Sequence, residues 1–435
     1  MKITLFVHCF FPTHFYGTER YTLDLARNLL ALGHEVSVIS AIFPGEPPSG
    51  EFVSYYEYEA VPVYCIDKNR LPHTRIKDTY YQPEMKSVHT DLLLKLRPDL
   101  VHVTHLINHT GTLLETLSDL KIPTVATMTD FFGFCFNNKL EAANESLCRG
   151  PNTLRSNCLR CYSKAVGYKF PGYVFHALGR YLFSRTPGFT HGSVAGSVLD
   201  LTRRPDILRT CYQHYSATIA PTKFLRDAYI ANGFTLPIRE IRFGVDISRA
   251  SKPLREPNSR LRLGFVGQLA RHKGPDILIQ AFRELPSGAA DLDIFGSKEQ
   301  EPQYMEELRS IAQGLDVHFR GTFHPERMAE ILSDLDFLVI PSRWYENSPL
   351  VLLNALATHT PVIISDVEGM TEFVTEGTNG FTFRRGNVSS LAALLRRIIK
   401  DPARARRMTA TTEYSRTTEI MTKDVLDVYR SVLVQ

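Results

Sequence analysis

The sequence predicts an α/β protein with two doubly wound domains in series, and three observations support this prediction. The chain has 435 residues, enough for two or three domains of ~150 residues each. Short apolar runs alternate with helix-length segments in two separate stretches of the chain, a pattern typical of parallel sheets covered by helices. Between these stretches, residues 252–257 hold two prolines and three charged side chains, as expected of an interdomain linker.

The first series of elements opens with an apolar run at 2–8, which predicts a strand. Leucines at helical spacing follow and predict a helix, which Gly33 ends. The predicted strands are 2–8, 35–40, 99–104, 123–127 and 217–220, and the predicted helices are 21–32, 113–120 and 224–232. The pattern breaks over 131–215, where a cysteine-bearing loop and segments rich in Lys, Arg and Tyr indicate an insertion.

The second series begins at Leu261. Its predicted strands are 263–266, 292–295, 317–319, 337–341 and 361–365, and the chain ends in a predicted helix over 422–433. We therefore predict an N-terminal domain (1–245) with an insertion (131–215), a C-terminal domain (258–415) and a C-terminal segment (416–435).

Composition and charge exclude several classes of protein. With 43% hydrophobic and 22% charged residues, the chain is not of the disordered type. Its formal charge of +4 is too small for a dedicated nucleic-acid binder. His8 interrupts the first apolar run and no window approaches ~18 apolar residues, so we expect neither a secretory signal nor a membrane-spanning helix. The odd number of cysteines, seven, favours a cytoplasmic location over a disulfide framework.

Ligands of open parallel sheets bind beyond the carboxyl ends of the strands, next to helix N-termini. In the first series this rule selects the Gly17-Thr18 turn, His105 and Asp130, and in the second it selects 267–274 and 346–350. The Gly17 turn lacks the Gly-x-Gly-x-x-Gly pattern, so a dinucleotide site of the usual kind is not expected.

The selected positions belong to an ordered set of short motifs. In chain order these are Gly267–Gly274, Phe295-Gly296, Val317–Gly321, Pro341-Ser342, Glu346–Val351, Asn354–Ala357, Pro361-Val362 and Asn379–Phe381. The set resembles the donor-binding half of the retaining glycosyltransferases of family four, which have the GT-B fold. Gly17-Thr18-Glu19 and Gly33–Val36 also resemble that family, in a subgroup with a cysteine-bearing loop. The resemblance implies two Rossmann-like domains facing across a cleft, a C-terminal helix that returns to the N-terminal domain, and no cofactor for catalysis.

The resemblance also implies roles for individual residues. Lys273 matches the family's lysine that neutralises the leaving diphosphate. Glu346 matches the glutamate that holds the donor-sugar hydroxyls, and Gly321 matches the strand end that holds the base. The predicted donor-binding residues are Gly17, Thr18, Gln268, Arg271, Gly321, Asn347, Ser348, Leu350, Val351 and Asn354, and the candidate catalytic residues are Lys273, Glu346, His105 and Asp130.

These residue types also have structural interpretations. Lys273 is consistent with an ordinary surface lysine, and Glu346 with a charge that complements a helix dipole. Gly17 is the residue type that a tight turn with positive φ requires. His105 fits a hydrogen-bonded structural histidine as well as a sugar contact, and Asp130 fits a helix cap as well as a general base.

Three positions depart from the family pattern. Gln268 replaces an arginine that usually faces the phosphates, and Arg271 is the candidate to supply that charge. Asn354 replaces the second glutamate of the E-x7-E motif, so it keeps one acceptor oxygen but no charge. The stretch 127–130 lacks the family's histidine. We expect these changes to affect donor affinity and acceptor geometry rather than the fold.

Four cysteines of the insertion have the spacing C-x12-C-x9-C-x2-C: Cys135, Cys148, Cys158 and Cys161. In a reducing compartment this set predicts a structural zinc site away from the catalytic centre, with an iron–sulfur cluster as a minor alternative. Free buried thiols, or two disulfides in an oxidising compartment, are the other interpretations.

Basic residues lie among Tyr, Phe and Leu after the cysteines: Lys164, Lys169, Arg180, Arg185, Arg203, Arg204 and Arg209. Such a surface fits peripheral contact with anionic lipid on the inner face of the cell membrane, close to a lipid-linked acceptor. A solvated helical face is the alternative.

Together these features predict a cytoplasmic, retaining glycosyltransferase of polysaccharide biosynthesis. Its donor would be a nucleoside-diphosphate sugar, and its acceptor a hydroxyl of a glycan, a lipid-linked saccharide or a small molecule. Two alternatives stay open: a nucleotide-sugar epimerase of the same fold, and a non-catalytic sugar-nucleotide binding partner, which Gln268 and Asn354 favour.

Overall fold

The structure is a computed structural model that describes residues 1–167, 194–247, 260–299 and 301–434. These residues form two compact units, one of Met1–Arg242 together with Thr418–Gln435 and one of Phe243–Thr417. The linker expected at 252–257 lies outside the described residues.

The first unit is built on an eight-stranded sheet. Its strands are β1 (Lys2–Phe6), β2 (Glu35–Ile42), β3 (Val53–Tyr58), β4 (Val61–Asp67), β5 (Leu100–Val103), β6 (Thr124–Thr127), β7 (Ala217–Ala220) and β8 (Ile238–Glu240). Their spatial order is β3-β4-β2-β1-β5-β6-β7-β8. β1 and β5 are buried along almost their whole length, as expected of central strands covered on both faces.

One edge of this sheet is not parallel, contrary to the sequence-based expectation. β3 pairs antiparallel with β4, because only Glu59 and Ala60 connect them, and both have a positive φ, of 46° and 62°. A two-residue turn of this kind joins antiparallel strands, whereas a parallel connection needs a crossover.

Helices cover the sheet of the first unit. They are α1 (Gly17–Ala31), α2 (Met85–Leu96), α3 (Thr110–Asp119), α4 (Ser156–Ala165), α5 (Val194–Tyr212) and α6 (Lys223–Ala231). α1 buries Tyr21, Leu25 and Leu29, whose i, i+4 spacing places them on one face. Arg20 and Arg27 of α1 are more exposed, whereas the charged residue Glu19 is buried with the apolar residues.

The second unit has a six-stranded parallel sheet. Its strands are β9 (Leu261–Val266), β10 (Ala290–Phe295), β11 (Val317–Gly321), β12 (Phe337–Ile340), β13 (Val362–Ser365) and β14 (Gly380–Phe383). Its helices are α7 (Pro275–Arg283), α8 (Pro302–Ala312), α9 (Met328–Asp334), α10 (Leu350–Ala357), α11 (Val388–Ile399) and α12 (Pro402–Thr411). The strand order is β11-β10-β9-β12-β13-β14, so the order reverses between β9 and β12. In such sheets the reversal opens a crevice at the carboxyl ends of the two strands, where ligands bind.

The last helix, α13 (Thr418–Leu433), belongs to the first unit. The Tyr429 hydroxyl lies 2.6 Å from Nδ1 of His102 on β5, and the Asn28 side-chain amide on α1 donates to the Thr418 hydroxyl at 2.8 Å. The expected return of the C-terminal helix to the N-terminal unit is therefore observed.

The α/β fold class with two doubly wound sheets is confirmed. The sequence analysis missed β3, β4, β8, β14 and α2, and it placed the start of α1 at 21 rather than at Gly17. Among the helices of the described ranges, none has the length and hydropathy that crossing a bilayer requires.

Candidate functional site

Two loops of the second unit lie side by side at the reversal of strand order. The N–H of Arg343, after β12, donates to the carbonyl of His272, after β9, at 2.8 Å. Gly274 closes the first loop with φ +71°, and a Cβ at this position would lie 2.1 Å from the Pro341 carbonyl oxygen. Only glycine allows this conformation and this close approach, so Gly274 fixes the distance between the loops.

Lys273 and Glu346, the two main sequence-predicted residues, meet between these loops. Lys273 Nζ lies 2.7 Å from Glu346 Oε1, and the same oxygen accepts hydrogen bonds from the Ser342 hydroxyl at 2.8 Å and the Trp344 indole N–H at 3.0 Å. Burial acts to raise the pKa of Glu346, but the Lys273 charge and these hydrogen bonds outweigh it and hold the pKa below its usual range. The carboxylate is therefore ionised at neutral pH although only 7% of the residue is exposed.

Trp344 completes this group, and the sequence analysis did not select it. Its ring centroid lies 3.9 Å from that of His272 and 5.3 Å from Lys273 Nζ. Two features of the sequence could have indicated Trp344: it is the one tryptophan of the chain, and it stands two residues before Glu346. Because it touches both Lys273 and Glu346, its fluorescence reports on this site.

Ser348 combines an unusual backbone with a buried hydroxyl. Its φ is +59°, a conformation that costs a non-glycine residue about 1–2 kcal/mol. Its hydroxyl oxygen is buried without a hydrogen-bond partner among the described residues. α10 begins two residues later, and its first-turn N–H groups have no partners within the helix. A buried hydroxyl beside a helix N-terminus favours an anionic ligand.

One face of α10 carries the remaining predicted residues of this segment. Leu350, Val351 and Asn354 are half-buried, whereas Leu352 and Leu353 are buried in the core. The Asn354 side chain makes no hydrogen bond to any residue of the described part of the chain. Asn347, also half-buried, precedes Ser348. The structure thus brings Asn347, Ser348 and this face of α10 to the same end of the sheet as Lys273.

The other predicted donor residues of this unit fall into two groups. Gln268 is half-buried directly after β9, and Gly321, with φ +79°, ends β11, where its carbonyl accepts from the Gly296 N–H at 3.0 Å. Arg271, in contrast, pairs with Glu307 of α8 at 2.6 Å and lies over the Tyr304 ring. Arg271 is therefore directed toward α8, not toward Lys273, and the structure gives no support to its predicted role as a substitute phosphate-facing charge.

A network that the sequence analysis missed holds the two loops together. The Arg343 guanidinium donates two hydrogen bonds to the Asp276 carboxylate, at 2.8 and 2.6 Å, and a third to the Arg271 carbonyl at 2.7 Å. Tyr304 donates to the same carboxylate at 2.5 Å. Burial acts to raise the pKa of Asp276, but the Arg343 and Tyr304 hydrogen bonds outweigh it and lower the pKa. This charged pair spans from the first turn of α7 to the loop that carries Glu346.

Gly369 supports Glu346 from the other side and was also missed. Its φ is +89°, and a Cβ there would lie 1.8 Å from the Glu346 carbonyl oxygen. Because no side chain fits, Gly369 is a second glycine that the site geometry requires.

In the first unit, His105 and Asp130 meet beyond the carboxyl ends of β5 and β6. His105 Nε2 lies 2.9 Å from Asp130 Oδ2, and His105 Nδ1 accepts the Ile107 N–H at 3.1 Å. Asp130 Oδ1 also accepts the Phe132 N–H at 2.8 Å, so its local turn-capping role is real. The two predicted side chains form a hydrogen-bonded pair.

A second group adjoins this pair and was not predicted. His8 Nε2 and the Cys9 thiol both lie near one oxygen of the buried Glu19, at 3.1 and 3.2 Å, and the His8 ring centroid is 4.3 Å from that of His105. Within the described ranges, His8, Cys9 and Glu19 are the one group of three metal-ligating side chains whose ligand atoms lie within 4.8 Å of one another. Burial and the Glu19 charge raise the pKa of Cys9 far above its usual range, so its thiol stays protonated and donates a hydrogen bond to Glu19.

Gly17, which is exposed, and Thr18, which is half-buried, form the start of α1. Gly17 does not have a positive φ, and a Cβ there would meet no atom within 4 Å. The interpretation of Gly17 as a tight-turn glycine is therefore wrong, because the residue is already helical. Its N–H group, in the first helical turn, is free of an i−4 partner.

The four insertion cysteines are free thiols in the structure. In the described part of the chain, no three of their sulfur atoms lie within 4.8 Å of one another. Cys135 donates to the Asn137 side-chain oxygen at 2.8 Å, and Cys161 Sγ lies 3.8 Å from the Glu141 carbonyl oxygen.

The predicted basic surface is described only in part. Lys169, Arg180 and Arg185 lie outside the described residues. Arg204 does not belong to any surface: it is 3% exposed, and its guanidinium stacks 4.7 Å from the Phe132 ring centroid. For Arg204 the prediction is wrong, because the aromatic residues around it form a buried pocket rather than an exposed face.

Both units match known protein families. Residues 15–141 match the family model for Glycosyltransferase Family 4, and residues 246–414 match that for Glycosyl transferases group 1. The glycogen synthase of Mycobacterium tuberculosis (strain CDC 1551 / Oshkosh) is 31% identical over 173 residues, 39% of this chain and 42% of that protein. The D-inositol 3-phosphate glycosyltransferase of Nocardia farcinica is 32% identical over 155 residues, 34% of each chain. This chain thus spans less than half the length of the curated relatives it matches.

Solved structures match over the whole chain. Sucrose-phosphate synthase from Thermosynechococcus elongatus has a TM-score of 0.64 and 17% identity, covering 99% of both chains. HepE of Anabaena, in complex with UDP and glucose, has a TM-score of 0.64 and 15% identity, covering 99% of this chain and all of HepE. At these identities the likeness establishes the fold. The first unit is therefore similar to the Glycosyltransferase Family 4 model and the second to the Glycosyl transferases group 1 model, and the chain has the GT-B fold.

Proposed function

We propose that this protein is a retaining glycosyltransferase that moves a sugar from a nucleoside-diphosphate sugar to an acceptor hydroxyl. The observation that carries the proposal is the Lys273–Glu346 pair at 2.7 Å, set beside the N-terminus of α10. A diphosphate needs the cation and the helix N–H groups, and a sugar needs a carboxylate that accepts its hydroxyls. HepE in complex with UDP-glucose and the starch synthase IV catalytic domain of Arabidopsis thaliana bound to ADP share the fold and bind ligands of this class.

The donor would occupy the carboxyl edge of the second sheet. The α10 N-terminus and the Ser348 hydroxyl would bind the diphosphate, because that hydroxyl is buried without a partner among the described residues. Asn354 would accept a hydrogen bond from the ribose, since its amide makes none within the described part of the protein. Gln268 and Gly321 would flank the nucleoside at the ends of β9 and β11.

Lys273 would change partners during the reaction. Without donor it is neutralised by Glu346, whose Oε1 already accepts three hydrogen bonds. A diphosphate carries more negative charge than one carboxylate and would draw the Lys273 ammonium toward itself. Glu346 would then hold the donor-sugar hydroxyls, still oriented by Ser342 and Trp344.

In the proposed reaction, the bond between the anomeric carbon and the diphosphate oxygen breaks while the acceptor oxygen bonds to the same face of the sugar. The acceptor's proton passes to the departing diphosphate oxygen, so no protein nucleophile is required. Lys273, Ser348 and the α10 N-terminus stabilise the charge that develops on the leaving group. In the first unit, the His105–Asp130 pair would bind the acceptor hydroxyl.

The test is turnover of a panel of UDP-, GDP- and ADP-sugars, measured as nucleoside diphosphate release. We expect one donor to be hydrolysed slowly without acceptor, and NMR of the released sugar to show the donor's anomeric configuration. The Lys273→Ala variant should lose this activity, whereas Lys400→Ala, an exposed lysine after α11, should retain it. Release with an inverted configuration would overturn the retaining mechanism, and a changed sugar stereocentre would overturn transfer. The comparisons favour neither the epimerase nor the non-catalytic interpretation.

A further inference from the structure

Hydrogen bonds connect the segments that carry the four cysteines of the insertion. Cys135 donates to the Asn137 side-chain oxygen at 2.8 Å, the Asn137 amide donates to the Glu141 carbonyl at 2.9 Å, and Cys161 Sγ lies 3.8 Å from that same carbonyl oxygen. A second contact joins Cys148 to the residue before Cys158, because the Asn157 amide lies 3.7 Å from Cys148 Sγ. Backbone bonds reinforce the loop, with the Cys148 N–H donating to the Leu140 carbonyl at 2.7 Å.

All four thiols are half-buried. Burial raises the pKa of Cys158 to about 12, and Cys135, Cys161 and Cys148 each add to the increase. Cys158 and Cys161 project from the same side of α4, three residues apart.

Cations face these thiols. Arg155 interacts electrostatically with Cys158, Arg160 with Cys161 and Arg204 with Cys135. Arg204 is 3% exposed, and its Nη1 has no hydrogen-bond partner among the described residues. A buried guanidinium with an unsatisfied nitrogen is unfavourable. The Asp130 carboxylate offsets part of the Arg204 charge, and thiolates around a metal would add to that.

The segment has little apolar core of its own. Its hydrophobic cluster consists of three buried residues, Leu159, Val198 and Leu201, with partly buried neighbours. The stretch from Cys135 to the start of α4 contains one isolated bridge, Glu141 with Leu147, as its only strand-like pairing among the described residues. Loops of this kind commonly need a metal or disulfides to hold one conformation.

We propose that Cys135, Cys148, Cys158 and Cys161 bind one structural Zn²⁺ ion. Four thiolates around Zn²⁺ carry two net negative charges, which Arg204, Arg155 and Arg160 would offset. Tetrahedral Zn–S bonds of about 2.3 Å place the sulfur atoms about 3.8 Å apart. Binding would exchange the present hydrogen bonds of the thiols for metal bonds, and the four thiol protons would pass to solvent. It would also move the sulfur atoms closer together, because no three of them lie within 4.8 Å of one another in the described part of the chain. This proposal does not depend on the glycosyltransferase reaction.

The test is the metal content of the full chain, purified in reducing buffer without chelator. We expect about one zinc per chain after dialysis, falling below about 0.1 in Cys158→Ser and in Cys161→Ser. Cys211→Ser is the matched control, because Cys211 is a buried free thiol outside the group and its loss should leave the zinc in place. Zinc that persists in both group variants, or iron with visible absorbance in place of zinc, would overturn the proposal.

The unmodified chain provides a second readout that does not depend on variant folding. Removal of zinc by a strong chelator should expose four thiols to a maleimide, and mass spectrometry should place the label on the four group cysteines. Protection of these thiols should return when zinc is added. Equal labelling with and without chelator, or linked cysteine pairs in the purified chain, would contradict a zinc site.

Discussion

Lys273 and Glu346 form an ion pair in which each neutralises the charge of the other. Glu346 is buried, and its carboxylate is stable because Lys273, Ser342 and Trp344 all donate to Oε1. Lys273 is more accessible, with 23% of its side chain exposed, so it is the member of the pair that can move toward a ligand. The pair therefore links local stability to the proposed chemistry.

Replacing Lys273 by alanine should lower kcat/KM by about two to three orders of magnitude, because the leaving diphosphate gains charge in the transition state. It should also lower the unfolding free energy by about 1–3 kcal/mol, since a buried carboxylate loses its charged partner. Steady-state kinetics and urea unfolding measure the two effects. Lys273→Ala combined with Glu346→Gln should recover part of the stability but none of the activity. Recovery of activity in the double variant would contradict the assigned role of Lys273.

At the scale of elements, the site depends on two loops being held at a fixed distance. The Arg343–Asp276 pair joins the loop after β12 to the first turn of α7, and Gly274 and Gly369 allow backbone approaches that no side chain permits. None of the residues in this network needs to touch the ligand. Their function is to position Lys273 and Glu346.

The variant Arg343→Lys tests this positioning role, because lysine cannot form two parallel hydrogen bonds to Asp276. We expect the affinity for nucleoside diphosphate to fall about tenfold and the unfolding free energy to fall by about 1–3 kcal/mol. Arg262→Lys is the matched control: Arg262 pairs with Asp334 on the surface, where an ion pair contributes about 0–1 kcal/mol. Calorimetric titration measures the affinity. An Arg343→Lys variant that binds like the unchanged protein would show that the pair serves stability alone.

The sequence predicted the buried strands well because each strand is a local signal. Runs such as 217–220 and 292–295 are apolar over a strand length, and Lys273 and Glu346 lie in ordered motifs. Contacts between distant segments were not predictable in this way. Arg271 was expected to face the phosphates, yet it pairs with Glu307, which stands 36 residues away. Gly369 and Arg343 acquire their roles only where the two loops meet.

At the scale of the whole molecule, buried histidines distinguish the first unit. Burial lowers the pKa of His102 to about 3 and, with the charge of Lys68, that of His109 to about 4. His89, also facing Lys68, and His8 are shifted in the same direction. All four are therefore neutral in the folded protein at mildly acidic pH.

The difference between the pKa values of these histidines in the folded and unfolded chain predicts that acid destabilises the first unit. On unfolding at pH 5 each histidine takes up a proton, because its pKa in the unfolded chain is about 6.5. The contribution of these histidines to the unfolding free energy is therefore fully present above pH 6.5 and is lost as the pH falls below it. Between pH 6.5 and pH 5, we expect the contribution of His102 and that of His109 to the unfolding free energy each to fall by about 2 kcal/mol. Circular dichroism follows both units and Trp344 emission follows the second. In urea at pH 5, we expect ellipticity to be lost before Trp344 emission shifts, and a His109→Gln variant to lose less stability on acidification. Simultaneous transitions with no pH dependence would contradict this account.

The most direct test of the proposed donor site is a titration of the full chain with UDP, GDP and ADP, followed by the emission of Trp344. This is the one tryptophan of the chain, and its indole donates to Glu346. If a diphosphate draws Lys273 away from Glu346, one nucleotide should change the emission saturably with one site per chain, and Lys273→Ala should weaken the binding at least tenfold, about 1.4 kcal/mol. Absence of a saturable change with any nucleotide, confirmed by calorimetry, would contradict the account, as would unchanged affinity in Lys273→Ala.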